Sequence, residues 1–266
     1  MKNFHNNILT VIQARRGSSR LPDKILFPLA GKPLLVRMVE RVEASKTPKE
    51  IVVATTFEER DDKIVELCNE YGIKFFRGHT TDLLDRHFKA GVESGADTIV
   101  KIPSDCPLIC PEVIDEVMQF YIESDFDFVS NLHPATFPDG NDVEVISMKT
   151  LEIAWKEAGK SFEREHTTPY IWERPERFRT GNVKWKSGSD FSMSHRFTID
   201  YIEDYEFIKR VYDELYEDKK IFTLCDILKL LDDKPEITNI NKMHAGKYWY
   251  RDYLNELKTI QEKSKT

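Results

Sequence analysis

Short apolar segments alternate with longer amphipathic ones through the first half of this chain, and this alternation limits the folds open to it. The short segments have the composition of buried strands, and the longer ones carry apolar residues at helical spacing. Strands and helices that alternate in this way form a mainly parallel sheet with helices on both faces. We therefore expect an α/β fold. The predicted strands are Ile8–Gln13, Glu50–Thr55, Lys74–Arg77, Thr98–Ile102 and Phe126–Ser130, and the predicted helices are Pro33–Ala44, Arg60–Tyr71, Leu83–Ser94 and Pro111–Glu123.

The pattern changes after Ser130. A Pro-Asp-Gly turn at residues 138–140 precedes Asp142–Ile146, in which polar and apolar residues alternate as in a half-exposed strand. We interpret residues 138–195 as a small antiparallel excursion within one domain that spans residues 1–266. Because an exposed strand can pair with a second copy, we expect a homodimer. The other elements predicted here are helices at Ser161–Arg174 and Asp204–Tyr216 and strands at Arg179–Lys186 and Arg196–Asp200.

Charge and cysteine usage exclude several classes of function. The formal net charge is −7, so the field of the whole protein favours neither nucleic acid nor an anionic membrane. The apolar run before Gln13 is too short for a signal peptide or a membrane span. Cys106 and Cys110 have a spacing open to metal binding, but no second Cys/His pair lies nearby in the sequence. We therefore expect a cytoplasmic protein with reduced thiols.

The ten residues Arg15–Lys24, directly after the first predicted strand, hold four cationic side chains, one glycine and two serines. A triphosphate needs several cations and backbone N–H groups that point toward it, and this segment supplies both. The spacing is neither that of a P-loop nor that of a GxGxxG dinucleotide turn. An ordinary basic surface loop is the alternative. The position after the strand, and the following Ala30–Leu35, favour a triphosphate-binding loop at Gln13–Lys24.

Polar residues also follow the other predicted strands. In an open α/β sheet, ligands bind beyond the carboxyl ends of the strands, so these residues are expected to share one cleft. They are Gln13, Thr55–Thr56, Arg77–Gly78, Ser104–Asp105 and Asn131.

The string QARRGSSRLPDKILFPLAGKPLL at Gln13–Leu35 resembles the first motif of the cytidylyltransferases that activate acidic sugars, the CMP-sialic acid and CMP-Kdo synthetase superfamily. The resemblance covers roughly residues 8–216 and is strongest to the branch of spore-coat and surface-polysaccharide biosynthesis. It implies a Rossmann-like, GT-A-like nucleotidyltransferase fold, CTP as the nucleotide, Mg²⁺ as the cofactor and an acidic sugar as the acceptor. The other similar strings are IVVATT (51–56), FRGHTTDLLDRHF (76–88), SDCPLI (104–109), FPDGNDVEV (137–145), REHTTPYI (164–171) and RFTIDYIED (196–204).

Two positions depart from the family pattern. The first motif usually carries glycine before its lysine, whereas this chain has Asp23. Tyr201 replaces a small hydroxyl residue in the RxTxDxxxD motif. Because Asp23 adds a negative charge, we expect it to weaken the attraction of the loop for phosphate.

Nucleotidyl transfer attacks the α-phosphorus of a nucleoside triphosphate and expels pyrophosphate, so the protein must place the nucleophile and stabilise charge on phosphate oxygens. Mg²⁺ takes one or two protein carboxylates for this work. Asp105 and Asp200 each end a predicted strand and match the metal-binding aspartates that the resemblance implies. The alternative for either aspartate is a helix cap or a turn. Lys24 and Arg15 are the predicted catalytic cations, with Lys24 on the α-phosphate.

The remaining site predictions are weaker. Asp82 is a nucleotide candidate, although a cap of the helix Leu83–Ser94 is the favoured role. Asp142 and Glu144 share a strand face and can bind sugar hydroxyls, a second cation or water. His166 is a base, an acid-sugar contact or a structural hydrogen-bonding residue. The predicted nucleotide-binding residues are Gln13, Ala14, Arg15, Gly17, Ser18, Ser19, Lys24, Thr55, Thr56, Arg77, Asp82 and Arg86, and the predicted acceptor-binding residues are Asn131, Asp142, Glu144, Glu165, His166 and Arg196.

Three functions compete for this sequence. The first is a Mg²⁺-dependent cytidylyltransferase that transfers CMP from CTP to an acidic sugar or a related small-molecule acceptor, for a surface glycan. The second is a GT-A-like glycosyltransferase, but the Asp-x-Asp motif typical of such enzymes is missing at residues 104–106, and Asp125–Asp127 precedes its strand. The third is a non-catalytic nucleotide-binding module, against which the joint presence of Arg15, Lys24, Asp105 and Asp200 argues.

Overall fold

The apolar segments predicted as strands form the centre of the molecule, because helices cover both faces of the sheet that they build. The computed structural model of the chain describes residues 7–47 and 50–260. The strands are β1 (Ile8–Gln13), β2 (Pro28–Leu29), β3 (Lys32–Pro33), β4 (Glu50–Thr56), β5 (Phe75–Gly78), β6 (Thr98–Pro103), β7 (Phe128–Ser130), β8 (Glu144–Ser147) and β9 (Thr180–Asn182). The helices are α1 (Leu34–Glu43), α2 (Asp62–Tyr71), α3 (Leu83–Glu93), α4 (Pro111–Glu123), α5 (Met148–Glu157), α6 (Ser161–His166), α7 (Pro169–Trp172), α8 (Ile202–Leu215), α9 (Leu224–Asp233) and α10 (Pro235–Thr238).

The main sheet has seven strands in the order β5-β4-β1-β6-β8-β7-β9. Strand β1 pairs in parallel with β4 and β6, and Val11 lies opposite Val52 on one side and Lys101 on the other. Strand β8 is antiparallel to both of its neighbours, β6 and β7. Strands β2 and β3 form a separate antiparallel pair. The predicted α/β fold, mainly parallel with a small antiparallel part, is confirmed.

Side-chain alternation along β1 divides the interior into two cores. Leu9 and Val11 point into one core, which α3, α5 and α7 cover. Ile8 and Ile12 point into the other core, which α1, α2, α4 and α8 cover. Each fully buried aliphatic side chain contributes roughly 1.5–3 kcal/mol of transfer free energy. None of the described helices combines the length and the apolar composition needed to cross a membrane.

The second half of the chain departs from the sequence prediction in three places. The predicted helix Ser161–Arg174 is two short helices, α6 and α7, because Thr167 between them has a φ of +73°. The predicted strand Arg196–Asp200 is irregular, and its one bridge joins Arg196 to Asp139. Helices α5, α9 and α10 were not predicted.

The strand predicted at Asp142–Ile146 lies inside the main sheet as β8. Its residues Glu144, Val145 and Ile146 are buried, so the prediction of a half-exposed strand is wrong. The polar residue in the pattern faces a buried cation rather than water, since Glu144 forms an ion pair with Lys101 on β6. Both edges of β8 are paired, so β8 cannot join a second copy. The homodimer stays a prediction without this support.

Candidate active site

The loop after β1 is held in shape by Arg16. Its backbone N–H donates to Asp61 at 2.8 Å, its Nε donates to Asp23 at 2.7 Å, and its Nη1 donates to the carbonyl of Arg60 at 2.7 Å. A Cβ at Gly17 would lie 2.7 Å from the guanidinium carbon of Arg60, so a side chain there would displace the exposed end of Arg60. The basic loop is therefore built against the segment between β4 and α2.

Asp23 has a left-handed backbone conformation, with a φ of +61°. Glycine adopts this conformation without steric cost, which gives a physical reason for glycine at this position in the resembled motif. The carboxylate of Asp23 pairs with Arg16. Asp23 is thus part of the framework of the loop, and its charge is partly neutralised there.

The end of the loop places Lys24 between two carboxylates. Its Nζ lies 3.1 Å from Oδ1 of Asp200 and 3.6 Å from Oδ2 of Asp105, and it also donates to the carbonyl of Ile199. Asp105 follows β6, and Asp200 precedes α8. Three segments that are distant in sequence therefore bring one cation and two anions together beyond the carboxyl ends of the parallel strands.

Three cations surround Asp200. Besides Lys24, Arg20 contacts its Oδ1 at 2.7 Å and Arg196 contacts its Oδ2 at 2.8 Å. Burial alone would raise the pKa of Asp200, but Lys24, Arg20 and Arg196 outweigh it, so this pKa is lowered. The carboxylate therefore stays ionised at neutral pH, as a metal ligand must be.

Arg196 is the buried hub behind Asp200. Its side chain is 2% exposed and contacts Asp139 at 3.1 Å and Asp204 at 3.1 Å, in addition to Asp200. Asp204 in turn accepts hydrogen bonds from the backbone N–H groups of Asp200 and Tyr201. This network holds Asp200 from its Oδ2 side, while Lys24 and Arg20 contact Oδ1.

The residues present fit a divalent cation. The carboxylates of Asp105 and Asp200 both lie within 3.6 Å of the Lys24 ammonium and so face one another across it. Mg²⁺ usually takes one or two carboxylate ligands from the protein. Within residues 7–47 and 50–260, no group of three or more Asp, Glu, His or Cys residues is placed to hold a metal. The pair thus fits an ion that takes most of its ligands from phosphate and water.

A second polar cluster is built around Glu144 of β8. Thr168 donates from its hydroxyl to Glu144, the partner of Lys101, and the Trp172 indole N–H lies 3.2 Å from the Thr168 hydroxyl oxygen. Burial lowers the pKa of His166, the residue at the end of α6, to about 3, and Lys101 acts in the same direction. A neutral imidazole with so low a pKa is a poor base at pH 7.

Comparison with known proteins bears directly on this arrangement. The sequence model of the family described as Cytidylyltransferase matches residues 9–225, which include the basic loop and both aspartates. The chain belongs to the cytidylyltransferase family. This makes it an enzyme of the nucleotidyltransferase class.

Three relatives illustrate the relationship. The cytidylyltransferase is 38% identical, over 88% of its length and 94% of the relative, to an uncharacterised protein of Methanocaldococcus jannaschii. It is 32% identical to the spore coat polysaccharide biosynthesis protein SpsF of Bacillus subtilis, over 87% of this chain and 96% of that one. It superposes with a TM-score of 0.81 on a solved cytidylyltransferase from Leptospira borgpetersenii, at 35% identity, covering 88% of this chain and 97% of that chain.

The predicted nucleotide-binding residues of this cytidylyltransferase lie along the ends of β1, β4 and β5. The Ala14 N–H donates to the carbonyl of Ala54, and Thr55 is fully buried. The hydroxyl of Thr56 already donates a hydrogen bond to the carboxylate of Asp61. Among the contacts described within residues 7–47 and 50–260, Arg15 has no hydrogen bond or ion pair, so its guanidinium is available to an anion.

Three predicted nucleotide ligands instead hold the wall of the cleft. Arg86 is 1% exposed and donates to the carbonyls of His79 and Thr80, and burial lowers its pKa to about 10. Asp82 caps α3, as favoured from the sequence, and pairs with Arg164 at 2.6 Å. Arg77 donates to the Thr56 carbonyl at 2.8 Å. The side chains of all three residues are therefore engaged with protein partners, and their contact with a nucleotide stays a prediction.

The predicted acceptor residues also divide into two groups. Asn131 donates to the Asn141 carbonyl at 2.7 Å and accepts from the Val143 N–H at 3.0 Å, so it positions the segment that carries Asp142. Burial, followed by the carboxylate of Asp105, raises the pKa of Asp142 to about 6. Asp142 thus lies near Asp105. Three of the predicted acceptor residues are buried with their polar atoms engaged by protein partners, and their contact with an acceptor stays a prediction: Asn131, Glu144 and Arg196. Glu165 is exposed on α6.

Sequence reasoning missed several residues of the site. Arg20 lies four residues before Lys24 in the same loop, and its contact with Asp200 was not assigned. Lys101 could have been recognised from the sequence, because it is the single charged residue in an otherwise apolar strand and therefore needs a buried partner. Asp204 was the last residue of a motif already recognised, yet it received no role.

Proposed function

We propose that this cytidylyltransferase transfers CMP from CTP to an acidic sugar with release of pyrophosphate, in a Mg²⁺-dependent reaction that serves surface-polysaccharide synthesis. The observation that carries the proposal is the position of Lys24 between Asp105 and Asp200 at the end of the basic loop. Family membership supports CTP, and the name of the Bacillus subtilis relative supports a polysaccharide pathway. The proposal also includes a cytoplasmic location and a homodimeric assembly.

The chemistry assigns separate work to the residues around the cleft. An acceptor hydroxyl oxygen forms a bond to the α-phosphorus, the bond from that phosphorus to the bridging oxygen breaks to release pyrophosphate, and the hydroxyl proton passes to water. Asp105 and Asp200 would hold Mg²⁺, which supplies positive charge at the phosphate oxygens when bound. Lys24 and Arg15 bind and orient the phosphates, and Arg20 is close enough to Asp200 to assist.

The acceptor is assigned to the side of the cleft that holds Asp142 and His166. Asp142 lies near Asp105, so an acceptor bound there is adjacent to the metal-binding pair. His166 is neutral because burial lowers its pKa to about 3. We therefore assign His166 to hydrogen bonding or ring contact with the acceptor, and not to removal of its proton.

Pyrophosphate release tests the proposal. The protein is mixed with Mg²⁺, each of the four nucleoside triphosphates in turn, and a panel of sugar acids and sugar phosphates. We expect pyrophosphate with CTP and a sugar acid, and none after EDTA treatment. Release of UDP or CMP from a nucleotide sugar, without pyrophosphate, would instead identify a glycosyltransferase.

A further inference from the structure

A segment beyond the family match contacts the acceptor side of the cleft. We call residues 247–253 the C-terminal strap. They follow the matched region, which ends at residue 225. The Trp249 ring stacks on the His166 ring with centroids 3.6 Å apart and planes inclined by 17°. The carbonyl of Lys247 accepts from Nη1 of Arg196 at 3.2 Å.

These two anchors connect the strap to both halves of the site. Arg196 holds Asp200, the candidate metal ligand. His166 lies two residues before Thr168, whose hydroxyl donates to Glu144. Between the anchors, the Tyr248 hydroxyl donates to the Ser192 carbonyl. The strap therefore spans from the Asp200 side of the site to the Glu144 side.

The side chains of the strap suit a sugar ring. Tyr248 and Tyr250 stack with centroids 5.1 Å apart, and Trp249 stands edge-on to Tyr250 at 6.1 Å. All three side chains are partly exposed. Nη1 of Arg196, which donates to the Lys247 carbonyl, also contacts Asp139 at 3.1 Å, so this carboxylate lies beside the start of the strap. Aromatic faces beside a few acceptor oxygens provide contacts for the C–H face and the hydroxyls of a carbohydrate.

We propose that the C-terminal strap forms a wall of the acceptor site and that Trp249 is a specificity-determining residue that contacts an acceptor in the form of a sugar ring. The inference rests on the proposed function, because it places the acceptor of that reaction. It predicts that ring-forming acceptors are used and that open-chain polyol phosphates are used poorly. His166 supports Trp249 through the stacked contact.

The test compares Trp249→Ala, Trp249→Leu and Trp249→Phe with the wild type, using 3-deoxy-manno-octulosonate and N-acetylneuraminate as probes. Leu keeps apolar volume without an aromatic face, and Phe keeps the face, so the comparison survives if the Ala variant folds poorly. The matched control is Phe120→Ala, an exposed aromatic residue of α4 whose ring lies tilted against Phe126 with centroids 5.7 Å apart. CTP binding is measured separately by calorimetry.

We expect the acceptor KM to rise roughly tenfold in the Ala and Leu variants and about twofold in the Phe variant, since an aromatic contact accounts for that range. The KM for CTP should change by less than about twofold, because the Trp249 ring contacts His166 and Tyr250 and no residue of the basic loop within the described contacts. The Phe120 control should match the wild type in both constants.

Each other outcome has a separate meaning. An unchanged acceptor KM in the Ala and Leu variants, or a parallel rise in the KM for CTP, overturns the role of Trp249 and leaves the proposed function standing. A wild type that binds CTP but releases no pyrophosphate with either sugar overturns the ring-sugar acceptor. A wild type that does not bind CTP refutes the proposed function, and the inference with it.

Discussion

Replacing Arg196 by methionine separates a positioning role from substrate contact. The guanidinium contacts Asp139, Asp200 and Asp204 at 2.8–3.1 Å and its side chain is 2% exposed. Removing the cation of a buried ion pair costs about 3–5 kcal/mol, because the carboxylates stay buried without their partner. Asp200 retains Lys24 and Arg20. The loss therefore arises mainly at Asp139 and Asp204.

This cost corresponds to a fall in melting temperature of roughly 6–20 °C, at about 2–4 °C per kcal/mol for a domain of this size. The matched control is Arg179→Met, which breaks an exposed pair with Asp127 worth about 0–1 kcal/mol. Arg196→Lys should fall between the two, since an ammonium cannot reproduce the planar fork of donors. Thermal unfolding followed by circular dichroism measures all three. Equal shifts for Arg196→Met and Arg179→Met, with a raised acceptor KM, would refute the hub and restore direct substrate contact.

Four further outcomes are expected. Lys24→Ala should lower the pyrophosphate-release rate by roughly 10²–10³-fold with the circular dichroism spectrum unchanged, and equal rates would remove Lys24 from the reaction. Asp105→Asn should raise the Mg²⁺ concentration needed for half-maximal rate, which a metal titration checks. Asp23→Gly should keep the left-handed turn without strain and remove a negative charge that opposes phosphate binding. We therefore expect the CTP affinity measured by calorimetry to rise. The pKa of Asp226 is lowered to about 2, chiefly by its hydrogen bond with Lys219. The ionised carboxylate therefore contributes about 1 kcal/mol of stability above pH 4, and this contribution is lost as the pH falls toward 2. The free energy of unfolding in denaturant should depend less on pH in Asp226→Asn.

Local periodicity explains which parts of the fold were predictable. The strand Ile8–Gln13 was predicted with its observed bounds, because its apolar run and the following polar loop are adjacent in sequence. The place of β8 between β6 and β7 depends on pairing across more than forty residues, as between Lys101 and Glu144. No local pattern reports such a partner. The polar residue Glu144, which belongs to a buried ion pair, therefore produced the same polar–apolar alternation as a half-exposed strand.

The candidate site shows the same division. Lys24, Asp105 and Asp200 were identified because motifs fix their type and position, and the structure brings them together. The buried role of Arg196 was not predictable, because an arginine in a motif looks the same whether it faces a substrate or three aspartates. Trp249 lies outside every recognised motif, so only its contact with His166 relates it to the site.

The backbone at Asp23 has a consequence for the setting in which the enzyme works. A left-handed conformation at a non-glycine residue costs roughly 1–2 kcal/mol, and here an attraction between opposite charges offsets it. That attraction is partly exposed to solvent and acts over a 2.7 Å contact, so dissolved ions weaken it appreciably only when the screening length falls to about 3 Å, near 1 M salt. The order of the basic loop should therefore decrease as salt rises to that level. Relatives with glycine at this position should lack that sensitivity, because their loop needs no charge to hold its turn.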